Sequence, residues 1–171
     1  MTNSPWIARP LPVPMGTKSR AWFSHDQRHR FLLIRELEQP SAAERKSWRA
    51  VLFVLLNPSA ATEQADDRTI AKCWRLTRRW GGTEMRICNV YGLRASSPKD
   101  LWTCVDPVGT RRDTWLRRAV EGFGDYDRAE LIVLGWGNHP REEDLVGVHN
   151  ILRCAAGRVF ALATTLKQRP Q

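Results

Sequence analysis

The sequence predicts an α/β fold, a three-layer sandwich around a central, mostly parallel four-stranded sheet with an N-terminal β-hairpin at one edge. Three observations predict it. Four apolar runs of strand length, Val51–Leu56, Met85–Val90, Leu131–Trp136 and Val159–Leu162, recur along the chain. Stretches with helical periodicity separate them, and that alternation is the pattern of a parallel sheet covered by helices. The first run lacks any apolar–polar alternation, as a strand buried on both faces requires.

The elements follow in order. Residues 1–20 contain several prolines and read as a flexible arm; residues 21–171 read as a single α/β domain. Ala21-Trp22-Phe23 and Arg30–Glu36 form the hairpin strands around the turn-like Ser24-His25-Asp26-Gln27, and Gln39–Arg49 is a charged connection. Val51–Leu56 stops at Asn57-Pro58-Ser59, because a proline cannot donate to a strand ladder. The first helix spans about Arg68 to Trp80, with Asp67 as N-cap, Ile70, Cys73, Trp74 and Thr77 as its inner stripe, and Gly81-Gly82 as its stop. The second spans about Arg111 to Phe123, with Trp115, Leu116, Ala119, Val120 and Phe123 on one face. The third covers about Arg141 to Ala155, with Leu145, Val148, Ile151 and Leu152 facing in and Gly157 ending it.

Length and composition narrow the function. A chain of 171 residues can bury a real core without staples, and no apolar run approaches the roughly 18–20 residues that span a bilayer. The N-terminus lacks a charged region followed by an apolar one, so no secretory signal is expected and the cytoplasm is the expected location. Cys73, Cys88, Cys104 and Cys154 form no CxxC and are expected as reduced thiols. His25 and His29 have i, i+4 spacing but no set of neighbours that completes a zinc site, so no metal is expected. No glycine-rich phosphate loop or nucleophile elbow follows any strand, and no cofactor is expected. The net charge of +9 and the pI near 10.1 favour a nucleic-acid partner. Lys72, Arg75, Arg78 and Arg79, on the first helix, are the candidates for contacting its backbone. Among the tryptophans, Trp74, Trp115 and Trp136 look like core, whereas Trp6 and Trp102 are candidates for stacking on bases.

In open α/β sheets ligands bind beyond the carboxyl ends of the strands. Polar side chains and glycines concentrate there: Asn57-Pro58-Ser59, Tyr91 to Arg94 after Asn89, Gly137-Asn138-His139-Pro140, and Thr164-Thr165 with Lys167. That rim is the expected binding site.

The segments LFVLLNPSAATEQADDRTIAKCWRLTRRWG, ICNVYGLRASSPKDL, DPVG and LIVLGWGNHP, in this order, resemble the domain of unknown function 1643 family, from about Arg30 to the end. The order and placement of the motifs are also similar, more distantly, to the uracil-DNA glycosylase superfamily. Leu56-Asn57-Pro58 matches its first motif, Cys88-Asn89 through Arg94 its second, and Leu134-Gly135-Trp136-Gly137 its third. Two departures stand out: Leu56 replaces a glycine, and the family pattern runs on into a His-Pro segment that is not present here.

This resemblance implies a uracil-DNA-glycosylase-like fold that recognises nucleic acid or a nucleobase-containing ligand and hydrolyses an N-glycosidic bond. That reaction builds positive charge on the sugar and negative charge on the leaving base, with the base flipped out of its stack. Asn57 would orient the water, or Asp66 or Asp67 would act on it instead, and His139 or the backbone amides near Gly137 would face the departing base. Pro58, Ser59, Asp67, Thr69, Asn89, Tyr91, Arg94, Trp136, Gly137 and Asn138 would line the pocket. Asp67 has the competing duty of capping a helix, whereas Asp66 has none. Two alternatives fit the same residues: a non-catalytic nucleic-acid or nucleotide-binding module with a degenerate pocket, and an enzyme acting on free nucleosides.

Overall fold

A computed structural model describes residues 10–46, 49–96, 98–155 and 158–161. The elements in chain order are β1 (Leu11–Pro12), β2 (Thr17–Phe23), β3 (Arg30–Leu37), α1 (Ala42–Lys46), β4 (Ala50–Leu55), β5 (Ala65–Asp66) and α2 (Arg68–Arg79). They continue with β6 (Glu84–Asn89), α3 (Pro98–Thr103), α4 (Arg112–Glu121), β7 (Leu131–Gly135), α5 (Glu142–Arg153) and β8 (Val159–Ala161). The protein is an α/β structure with a mixed six-stranded sheet, order β2-β3-β6-β4-β7-β8. Strands β6, β4, β7 and β8 run parallel, and β3 joins β6 antiparallel with β2 outside it. The hairpin is thus two full strands of one sheet, and β2 begins at Thr17, ahead of the Ala21 the sequence suggests.

Helices pack on both faces. Period-two alternation along β4 sends Val51 and Phe53 towards α2, where they meet Ile70, Cys73, Trp74, Met85, Ile87 and Val133. Leu52 and Val54 point the other way, into a larger core with Trp115 and Leu116 of α4 and Leu145 and Val148 of α5. The inner stripe of α2 is Ile70, Cys73, Trp74 and Thr77, and Asp67 caps its first turn by accepting a hydrogen bond from the Ile70 amide at 2.9 Å. In α4, Trp115, Leu116, Ala119 and Val120 are buried; in α5, Leu145, Val148, Ile151 and Leu152 are.

Two short helices depart from the expected loops. The supposed connection Gln39–Arg49 contains α1, opened by a capping box in which the Ser41 amide donates to Glu44 Oε2 at 2.9 Å and the Glu44 amide donates to Ser41 Oγ at 3.2 Å. Pro98 starts α3, as suits a residue with no amide hydrogen to satisfy. Trp6, Gly157, Leu162, Thr164, Thr165 and Lys167 lie outside the described residues. Among the described residues no helix is long and apolar enough to cross a membrane.

Candidate functional site

The loops that leave β4 and β6 are tied together by backbone hydrogen bonds. The amides of Val90, Tyr91 and Ala95 donate to the carbonyls of Leu55, Leu56 and Pro58 at 2.9, 2.9 and 3.0 Å. Asn57 reinforces the seam, its side-chain nitrogen donating to the carbonyls of Pro58 (3.0 Å) and Ala95 (2.8 Å). Its first role is therefore structural. With the amide nitrogen committed to backbone, Oδ1 has no hydrogen-bond partner among the described residues.

Under this seam, on the α2 side of the sheet, lies a cavity of about 230 Å³ lined by Arg30, Leu55, Leu56, Asn57, Ser59, Asp67, Thr69, Ile70, Asn89 and Gly135. Five of the expected site residues meet here: Asn57, Ser59, Asp67, Thr69 and Asn89. The volume falls below the roughly 300–1,000 Å³ of sites for drug-sized ligands, so it suits one ring rather than a large molecule.

Asn89 is the most informative of the five. It is the last residue of β6, only 3% exposed, and neither its amide nitrogen nor its amide oxygen has a hydrogen-bond partner among the described residues. Burying such a group unpaired costs about 1–3 kcal/mol, a cost that water or a ligand in the cavity would relieve. Arg30, the first residue of β3, is 2% exposed; its Nη1 donates to the Ala61 carbonyl at 2.9 Å and its Nε is unpartnered among the described residues. Burial pushes its guanidinium down to about 10, with nearby Asp67 pulling the other way, so it stays charged at neutral pH. The cavity thus offers an unmatched amide, a buried cation, one carboxylate and two hydroxyls.

Arg30 was not among the residues expected from the sequence. Its signal was there: an arginine opening the otherwise apolar Arg30–Ile34 stretch is a charge that the fold buries, and a buried charge needs a reason. Gly135 and Leu56 were known only as parts of motifs; they form cavity walls, and Leu56 supplies a side chain where glycine would leave space.

Several other expectations need correction. Asp66, expected to act on water, does not line the cavity; it sits 1% exposed beneath β3, with Oδ1 accepting from Arg35 Nη2 at 2.7 Å and Nε at 3.1 Å. Burial raises its pKa in spite of Arg35. Tyr91 is fully buried on the opposite face, its hydroxyl donating to Asp144 Oδ2 at 2.8 Å and accepting from the Arg141 amide at 3.0 Å, so it anchors the start of α5. Trp136 also turns to that face, because it follows Gly135 in the strand alternation and lands in the α4–α5 core. His139 is exposed and, like Gly137 and Asn138, lies outside the cavity lining. Pro58 is buried and contributes its carbonyl to the seam. Arg94 stands over the Phe23 ring at 5.3 Å in an open groove beside β2.

The basic helix is divided. Arg78 pairs with Glu44, donates to the Gly82 carbonyl at 2.7 Å and lies over the Trp74 ring, whereas Lys72, Arg75 and Arg79 are more exposed. Trp102 is half-buried against the Tyr91 ring with Arg141 above it, so it is committed to packing. Cys73 and Cys88 are buried, and burial pushes both thiols up to about 12; Cys154 is exposed. Among the described residues no cluster of His, Cys, Asp and Glu could hold a metal ion.

No curated protein and no solved structure matches the chain. A family model does match, over residues 30–171, beginning at the buried arginine of the cavity. The chain belongs to the family described as protein of unknown function (DUF1643).

Proposed function

We propose that the cavity is a nucleobase pocket, in a cytoplasmic, uracil-DNA-glycosylase-like protein that recognises nucleic acid or a nucleobase-containing ligand. The observation that carries this reading is the Asn89 amide, buried with both polar atoms unpaired among the described residues and facing a ring-sized cavity. A carboxamide presents one donor beside one acceptor, the pattern that pairs with the edge of a base in two parallel hydrogen bonds. The unpartnered Arg30 Nε adds a donor for a further ring oxygen or nitrogen. The net charge of +9 supports a polyanionic partner.

A second reading, hydrolysis of the N-glycosidic bond, rests on Asp67 in place of Asp66. One Asp67 oxygen caps α2, and the carboxylate shares the cavity with Asn57 and Arg30. Water held between Asp67 and Asn57 Oδ1 would attack the anomeric carbon as its bond to the base nitrogen breaks. Asp67 takes up the water proton, while the bonding pair leaves on the base, where Arg30 and Asn89 stabilise the negative charge.

The test is a set of oligonucleotides carrying uracil, hypoxanthine or an alkylated base, assayed for binding and, after alkali, for abasic-site cleavage. Asn89→Leu is expected to lose base-dependent binding at least about tenfold, and Asp67→Asn to lose cleavage while keeping binding. If Asn89→Leu binds every oligonucleotide as the wild type does, the pocket reading fails. If the wild type forms no abasic site with any of them, the hydrolytic reading fails and a binding module remains.

A further inference from the structure

A second, wider hollow of about 350 Å³ adjoins the cavity and shares Leu55, Thr69 and Gly135 with it. Its floor is apolar, formed by Phe53, Leu55, Leu76 and Val133, and its rim carries Arg68 and Lys72, both exposed. These two cations sit on the first turns of α2, a twelve-residue helix with no acidic residue in its first turn. The first amides of a helix have no intrahelical partner, and the aligned peptide dipoles make that end favourable for an anion. The Asp67 cap takes up the Ile70 amide and leaves those of Arg68 and Thr69. Asn89, buried and unpartnered among the described residues, lines the cavity into which this same helix end projects Asp67, Thr69 and Ile70, so unmatched polar atoms stand beside the helix end.

We infer that the two hollows form one nucleotide site, with the base in the inner cavity, the sugar crossing at Gly135 and Thr69 over the apolar floor, and the phosphate on Arg68 and Lys72. The inference rests on the nucleobase reading of the inner cavity and extends it to a phosphate subsite. Charge sets the orientation. In the inner cavity Asp67 offsets the cation Arg30; Arg68 and Lys72 line the outer hollow, where no carboxylate of the lining opposes them and they attract a phosphate. Apolar side chains suit the carbon face of a sugar, and among the described residues the rim cations are the only charged groups of the outer lining. The ligand class is therefore a base, a sugar and a phosphate ester, supplied either as a free mononucleotide or as one nucleotide of a strand.

Isothermal titration of the full chain with the uridine and adenosine series (base, nucleoside, 5′-monophosphate, and a trinucleotide carrying that base) tests this. The monophosphate is expected to bind about tenfold or more tighter than its nucleoside at about 50 mM salt, with the gap narrowing at about 500 mM. In Arg68→Gln with Lys72→Gln the gap closes while nucleoside affinity stays at the wild-type value; both positions are exposed, so the fold is retained. A monophosphate no tighter than its nucleoside, or an advantage that survives the double substitution, overturns the phosphate subsite and leaves the base pocket standing. If no base, nucleoside or nucleotide of either series binds the wild type, the nucleobase reading falls and takes this inference with it. A trinucleotide tighter than the mononucleotide, with a gain abolished by the double substitution, supports the subsite and identifies the strand as the source. The reverse order supports it with the free nucleotide as the source.

Discussion

Two arginines on β3 are almost equally buried, and only one of them is satisfied by the protein. Arg35 is 0% exposed, and every nitrogen of its guanidinium donates: Nε and Nη2 to Asp66, Nη1 to Ser19 Oγ at 2.6 Å, and Nη2 to the Thr62 carbonyl at 2.7 Å. Arg30 donates to the Ala61 carbonyl and keeps Nε unpartnered among the described residues, beside an asparagine in the same condition. The difference separates a charge that the fold satisfies in full from one that it leaves with a donor to spare beside the cavity of the proposed base pocket. Arg35 therefore holds strands and loops together, although its partner Asp66 keeps Oδ2 unpartnered among the described residues; what sets Arg30 and Asn89 apart is that their unmatched atoms belong to residues lining a cavity.

The comparison is broken most directly at Asp66. Asp66→Ala strands the Arg35 charge in the interior and is expected to cost about 3–5 kcal/mol of unfolding free energy in urea titration. A loss below about 1 kcal/mol would mean that the pair is not the structural member of the contrast. Replacing both partners by apolar residues of similar volume is expected to recover most of that loss.

At the other pole, Asn89→Leu is expected to lose about 1–3 kcal/mol of base binding while unfolding free energy stays within about 1 kcal/mol of wild type or rises, because an unpaired amide is removed. A large destabilisation with unchanged binding would assign Asn89 to the fold. Asn57→Ala falls between the poles. It frees the Pro58 and Ala95 carbonyls and is expected to cost about 1–2 kcal/mol of stability, read as a lowered urea midpoint.

Smaller effects sharpen the picture around α2. Asp67→Ala removes the cap and is expected to cost about 1 kcal/mol in thermal unfolding, whereas Asp67→Asn keeps a capping oxygen and loses only a few tenths. That pair separates the cap from the carboxylate charge. The smallest effect is acidic. The Arg78 guanidinium, helped by Ser41, holds the Glu44 carboxyl down to about 2, below its ordinary value of 4.5. A carboxylate lowered in the folded state contributes stability above its unfolded value and loses it as the pH falls from about 4.5 towards about 2. The thermal midpoint of Glu44→Gln should therefore fall less steeply than that of wild type across this range; parallel curves would show that the half-buried pair contributes nothing.

Much of the fold was legible along the chain because the governing interactions are local. The Val51–Leu56 run, the Ile70–Thr77 stripe and the Asp67 cap each depend on residues within a turn or two of one another, and the structure places them accordingly. The Ser41–Glu44 capping box was equally local, yet its helix spans only Ala42–Lys46 and is hidden in a charged stretch. Hairpin length was not legible, since the exposed Lys18 and Arg20 carry no apolar signal and the Thr17–Phe23 strand exists only through its pairing with β3.

By itself, then, the sequence determined the order of the long strands and helices, the inner faces of the three long helices, and the presence of Asn57 and Asn89 near the carboxyl ends of strands. Tertiary structure alone decided which neighbour of a pair reaches the cavity. Asp66 and Asp67 are adjacent and chemically identical, but pairing of Leu11 with Asp66 fixes β5 as a strand, and successive side chains of an extended chain point opposite ways. One carboxylate therefore goes under β3 to Arg35 and the other to the head of α2. Arg30 joins the same cavity from a strand far away in sequence, since β3 runs antiparallel to β6 and brings its first residue to the carboxyl end of its neighbour. Contacts between such distant segments leave no periodicity in either one, because each depends on where the other ends.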